Sequence, residues 1–73
     1  MPGAARVEGS EGARLLRVAA ASSRWDVRRA AATAMRERGD HALLGDARRL
    51  SAEDPDPLVA RAFADAARAL GDR

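Results

Sequence analysis

Nineteen of the 73 residues are alanine, and strand formers are nearly missing: four valines, one threonine, no isoleucine and no tyrosine. Trp25 and Phe63 are the only aromatics. Alanine loses no side-chain entropy in a helix, and arginine, present 13 times, loses little. A strand needs branched or aromatic side chains to cover a pleated surface. The chain therefore reads as all-α, and the question becomes where its helices break.

Three breaks are written into the sequence. Ser22-Ser23 interrupts a stripe made by Leu15, Val18, Ala19 and Ser22, with Leu16 on its flank, so a first helix is expected from about Ser10, its N-cap, to Ala21. Gly39 is expected to end a second helix, about Trp25 to Arg38, in a left-handed cap. Val27, Ala30, Ala31, Ala34 and Met35 form its apolar face, with Arg29, Ala32 and Arg36 opposite. Asp40 caps a third helix, about His41 to Ser51, burying Leu43, Ala47 and Leu50. Pro55-Asp56-Pro57 excludes a continuing helix and reads as N-cap plus first-turn proline for a fourth, which ends at Leu70 with Gly71 as cap. Val59, Phe63, Ala66 and Leu70 line its apolar face. Residues 1–9 read as a flexible leader and 10–73 as one helical segment.

A core in a chain this short seldom supplies more than roughly 3–5 kcal/mol, and no cysteine is present to staple it. No apolar run is long enough for a membrane span, and the first residues lack a signal-peptide core, so a cytoplasmic protein without membrane contact is expected. All basic residues are arginine, a habit of GC-rich bacterial genomes. The net charge is +2, divided as +4 over residues 1–38 (eight arginines, four acids) and −2 over residues 39–73 (five arginines, seven acids). Such a gradient favours stacking of neighbouring units or an acidic partner.

The chain also repeats itself. With Val27 set on Val59, an offset of 32, eight of the 16 positions from Trp25 to Asp40 are identical, among them Arg29 with Arg61, Arg36 with Arg68, and Gly39-Asp40 with Gly71-Asp72. The repeat copies run from about 25 to 56 and from 57 to 73. A helix–turn–helix unit of this length cannot bury its apolar face alone and needs stacked neighbours. The segments Trp25-Asp26-Val27-Arg28-Arg29-Ala30-Ala31 and Asp54-Pro55-Asp56-Pro57-Leu58-Val59-Ala60-Arg61-Ala62, closed by Ala69-Leu70-Gly71-Asp72, resemble the short HEAT-like repeats first associated with bilin lyases. The first copy departs by lacking a leucine before Gly39, and the second by carrying Ala60 where an arginine is usual. The resemblance implies antiparallel helix pairs in a short α-solenoid, with four helices in the order B, A, B, A. Three repeats are normally needed for stability, so a fragment, a degenerate remnant, or a small protein completed by self-association is expected.

Little here points to chemistry. His41 follows the Asp40 cap and reads as an exposed first-turn residue. Glu53, Asp54 and Asp56 lack the spacing and glycine of a calcium loop and read as turn and cap residues. No enzymatic activity and no cofactor or metal are expected. The candidate binding surface is Arg29, Arg36, Arg61 and Arg68, two pairs seven residues apart and partly paired with Asp65 and Glu37, with Trp25 one turn before Arg29 or filling the gap between repeats. The leading function is a HEAT-like interaction or scaffold module that binds a protein partner. The alternative is a tRNA- or DNA-contacting accessory segment of a larger or split enzyme, since the HEAT-like resemblance extends to units in epoxyqueuosine reductases and alkylpurine DNA glycosylases.

Overall fold

Each of the three breaks separates helices in the structure, a computed structural model that describes the backbone of residues 2–72 and the side chains of residues 11–72. The helices are α1 (Pro2–Ala20), α2 (Trp25–Arg38), α3 (Leu44–Glu53) and α4 (Pro57–Gly71). The fold is all-α, with no strand among the described residues.

Local chemistry accounts for the boundaries. At α2 the chain turns on Ser22, whose Oγ accepts from the Arg24 amide at 3.2 Å, and Asp26 accepts from the Val27 amide at 3.0 Å. Gly39 closes α2 at φ 67°, a left-handed conformation that a side chain would penalise, and its N–H returns to the Met35 carbonyl. Asp40 then accepts from the Ala42 amide at 3.0 Å. The expected single helix from His41 divides here: His41–Leu43 is a 3₁₀ turn, and only Leu44–Glu53 is α-helical. Asp56 accepts from the amides of Leu58 and Val59 with Pro57 in the first turn, as a proline-led helix start should.

Two expected boundaries move. α1 begins at Pro2, so Ser10 lies inside the helix and not at its cap. The flexible leader expected for residues 1–9 lies outside the residues whose side chains are described. Gly71 remains within α4 and does not take the left-handed cap assigned to it; Gly39 alone has positive φ among the described residues. The two Gly-Asp pairs match in sequence and differ in backbone, because Asp72 keeps a right-handed helical conformation with its N–H bonded to Arg68 and Leu70.

The core is small and centred on α4. Met35, Leu43, Val59, Phe63 and Leu70 are its largest fully buried side chains, with alanines 31, 32, 47 and 66 filling between them. The entire face expected for α4 is buried. On α2, Ala31 and Met35 are buried as expected, but Ala32, assigned to the opposite side, is fully buried while Ala30 is exposed. On α1 the correction is larger. Ala13 and Ala20 are buried and Leu16 and Ala19 half-buried, whereas Leu15 and Val18 are 61% and 66% exposed. Helical spacing identifies apolar stripes; with two adjacent stripes on α1, packing against α2 chose the one with smaller residues.

Side-chain ties reveal how the helices run. Arg28, near the start of α2, holds Asp54 just ahead of α4, and His41 Nδ1, just past α2, lies 3.2 Å from the Leu70 carbonyl near the end of α4. α2 and α4 therefore lie side by side in the same direction. Arg17 of α1 holds Asp46 at the start of α3 at 3.0 Å, and Ala20 borders the same depression as Leu50 and Glu53. α1 and α3 likewise share a direction, linked mainly through side chains. α4 packs extensively on both α2 and α3, α1 packs on α2, and α2 and α3 barely meet.

Candidate functional site

The acidic turn resolves into structural roles. Arg28 donates from Nε to Asp54 Oδ2 at 2.9 Å and from Nη1 to the Ser22 carbonyl at 3.0 Å, while Asp54 Oδ1 accepts from the Asp56 amide at 2.9 Å. Asp54's side chain is 1% exposed and Arg28's is 13% exposed. One carboxylate thus joins the ends of α1 and α3 to the starts of α2 and α4. Sequence reasoning missed this pairing, since nothing local relates residues 26 positions apart; the only signal was a buried-helix arginine, Arg28, replaced by Ala60 in the second copy. Glu53 is exposed and Asp56 is the α4 cap.

The four arginines of the candidate surface are all exposed. At about 100° per residue, Arg29 and Arg36 point away from Ala31, and Arg61 and Arg68 away from Phe63. Because α2 and α4 run side by side, the two pairs share the outer surface of that helix layer. The partial pairing expected with Asp65 and Glu37 is absent: among the described residues none of these four guanidiniums has an ion pair. Asp65 stands four residues after Arg61 and three before Arg68, spacings that allow a pair, yet it closes on neither. Trp25 fills no gap within this chain. It is 52% exposed at the head of α2, where it borders a shallow open depression with Asp26, Arg29, Ala30, Thr33, Ala34 and Glu37.

A second surface, not singled out from sequence, adjoins that depression. Leu16 and Ala19 of α1 and Val27, Ala30, Ala31 and Ala34 of α2 line an open groove between the two helices. Leu15 and Val18 lie further round α1: at about 100° per residue Leu15 borders Ala19, and Val18 turns beyond it, away from Leu16. Its rim is of mixed charge: Glu11 and Arg14 share the exposed side of α1 with Leu15 and Val18, and on the α2 side Asp26, paired with Arg24, and Glu37 stand with Arg29. Asp26 is itself bonded by Arg24 at 2.9 Å, and that hydrogen bond draws its carboxyl below the ordinary carboxylate value. His41 is exposed, with its ring against the Leu70 carbonyl. No group of three or more metal-ligating side chains occurs, and no helix is long and apolar enough to cross a membrane, among the described residues.

Comparison with protein-family models, with curated proteins and with solved structures finds no match to this chain.

Proposed function

We propose that this chain is a cytoplasmic, HEAT-like interaction module that binds a protein partner through the groove between α1 and α2. The observation that carries the reading is the exposure of Leu15 and Val18 on α1, the helix that also supplies Leu16 and Ala19 to an open apolar groove with Val27 and Ala30 of α2. Two large aliphatic side chains mostly left in water each forgo roughly 1–2 kcal/mol of burial. A surface of that kind marks a docking site. The partner that fits is an apolar helical surface laid along α1 and α2. The solenoid reading draws support from the shared direction of α2 with α4 and of α1 with α3, the arrangement of two stacked helix pairs.

A second reading has its own observation. Arg29, Arg36, Arg61 and Arg68 lie exposed and without ion pairs on one outer surface, as phosphate-binding arginines would. Asp65 and Asp72 share that surface and weaken its field. Protein binding therefore ranks first.

A photo-crosslinking amino acid placed at Val18, and separately at Arg36, tests both in cells. The proposal expects protein adducts from position 18 and few from position 36. Nucleic-acid adducts from position 36, with none of any kind from position 18, would reverse the ranking.

A further inference from the structure

The offset of 32 was read from α2 and α4, and it extends to the helices before them. Leu15 falls on Ala47 and Val18 on Leu50; Val27, Ala30 and Ala34 fall on Val59, Ala62 and Ala66. In α3 and α4 these positions are buried or half-buried; in α1 and α2 they are half-buried or exposed. The residues that pack the α3–α4 pair inward therefore have apolar counterparts 32 positions earlier, of which Val27, Ala30 and Ala34 line the open groove and Leu15 and Val18 stand in water on α1.

The packing explains the difference. Gly71 lies against Leu44 and Arg48 of α3, which puts α3 on the Ala67–Gly71 side of α4 and leaves Val59, Ala62 and Ala66 for α2. On α2, α1 borders Val27, Ala30, Ala31 and Ala34, so the burial of Ala32 falls to α4. The buried faces of α2 and α4 are accordingly turned by roughly 80° relative to each other at 100° per residue, each toward the other. The pair α1–α2 thus offers an unused copy of the surface with which α3–α4 docks. The pair α3–α4 offers an unused copy of the surface that receives it: Ala52 with Ala60, Ala64 and Ala67, counterparts of Ala20, Arg28, Ala32 and Met35. Ala52 and Ala64 are exposed, and Ala60 and Ala67 half-buried.

We infer that the groove's occupant is a second copy of this chain, stacked head to tail, with the outer face of its α3–α4 pair on the α1–α2 face of the first. This rests on the protein-binding reading above and names its partner. The repeat register supports the direction: a head-to-tail contact continues between copies the offset of 32 that relates the two helix pairs within the chain, and a two-fold dimer pairing α1–α2 faces would not. The contact between copies is weaker than the one within the chain. Its counterparts of the Arg17–Asp46 and Arg28–Asp54 pairs are Arg49 with Arg14, two cations, and Ala60 with Ser22, so neither ion pair recurs and the first position repels. A dissociation constant on the order of 10–100 μM is expected of such a small contact.

Sedimentation of the full chain across micromolar to millimolar concentration tests this. A heterologous contact does not close, so the mass should climb past the dimer. Val18→Arg with Ala30→Arg blocks one face, and Ala52→Glu with Ala64→Glu blocks the other; all four residues are exposed, and helicity by circular dichroism confirms folding. Each double variant alone should remain monomeric, and an equimolar mixture should form a one-to-one pair, because one intact face of each kind remains. A parent chain that remains monomeric at millimolar concentration overturns the inference. So does a dimer that persists in the Ala52→Glu, Ala64→Glu variant, which would indicate two-fold pairing. If the crosslinker at Val18 captures a different protein while the chain stays monomeric, only the self-association fails. If it captures nothing, the protein-binding reading fails with it.

Discussion

Replacing Asp54 with alanine should unfold this protein at room temperature. The carboxylate is 1% exposed, and it accepts from Arg28 at 2.9 and 3.5 Å and from the Asp56 amide at 2.9 Å. Its removal strands Arg28, 13% exposed, with only the Ser22 carbonyl as partner. Breaking one half of a buried ion pair costs about 3–5 kcal/mol; Arg28 keeps some contact with water, so the lower end, about 3 kcal/mol, applies. The orphaned Asp56 amide adds roughly 1 kcal/mol. That total equals the roughly 3–5 kcal/mol such a small core supplies. Urea melts followed by far-UV circular dichroism should show the parent folded and the variant largely unfolded without denaturant. The double variant Arg28→Met, Asp54→Leu should regain most of the loss, since apolar residues of similar volume need no counter-charge. Asp26→Ala removes an exposed pair with Arg24 and should barely move the midpoint. An Asp54→Ala melt superimposable on the parent's, or a larger loss from Asp26→Ala, would refute the assignment of Arg28 and Asp54 as the tie between helices.

Leu43→Ala empties a fully buried site and should cost about 2–5 kcal/mol, measured by the same melts. Gly39→Ala, at φ 67°, should destabilise by about 1–2 kcal/mol, whereas Gly71→Ala, in helix with its nearest neighbours 3.9 Å from the added methyl, should be neutral or slightly stabilising; equal losses at both would mean that the two Gly-Asp turns share a conformation after all. Changing Arg29, Arg36, Arg61 and Arg68 to glutamine should leave helicity intact, and filter binding of tRNA or duplex DNA should be weak for the parent near physiological salt; sub-micromolar affinity with a steep salt slope that the variant flattens would favour nucleic-acid contact. Asp26 should titrate by NMR below the ordinary carboxylate value, and Arg24→Ala should raise its midpoint. Since its folded-state pKa is depressed, the small stability it adds is complete above the unfolded pKa and is lost as pH falls through the folded one.

Much of the local structure was legible because its causes are local. The breaks at Ser22-Ser23, Gly39 and Pro55, the Asp40 and Asp56 caps and the buried face of α4 follow from backbone chemistry and spacing within a few residues. Gly71 misled because glycine permits a left-handed cap without requiring one. The exposed positions of Arg29, Arg36, Arg61 and Arg68 were also readable from their place opposite the apolar stripes. That they carry no ion pairs was not, because it depends on where Asp65 and Glu37 turn.

The alanine content and the turn residues determined, before any packing, that the chain is four helices with these breaks. Tertiary structure alone decided which side of each helix is inside. On α1 and α2 apolar residues occupy a wide arc, so periodicity is satisfied by more than one orientation, and the choice fell to the neighbours: α1 turned Ala13 and Ala20 inward and left Leu15 and Val18 in water, and α4 covered Ala32 in preference to Ala30. Only the folded chain brings Arg28 to Asp54 and Arg17 to Asp46, since ion pairs between residues 26 and 29 positions apart depend on helix directions that no local sequence encodes.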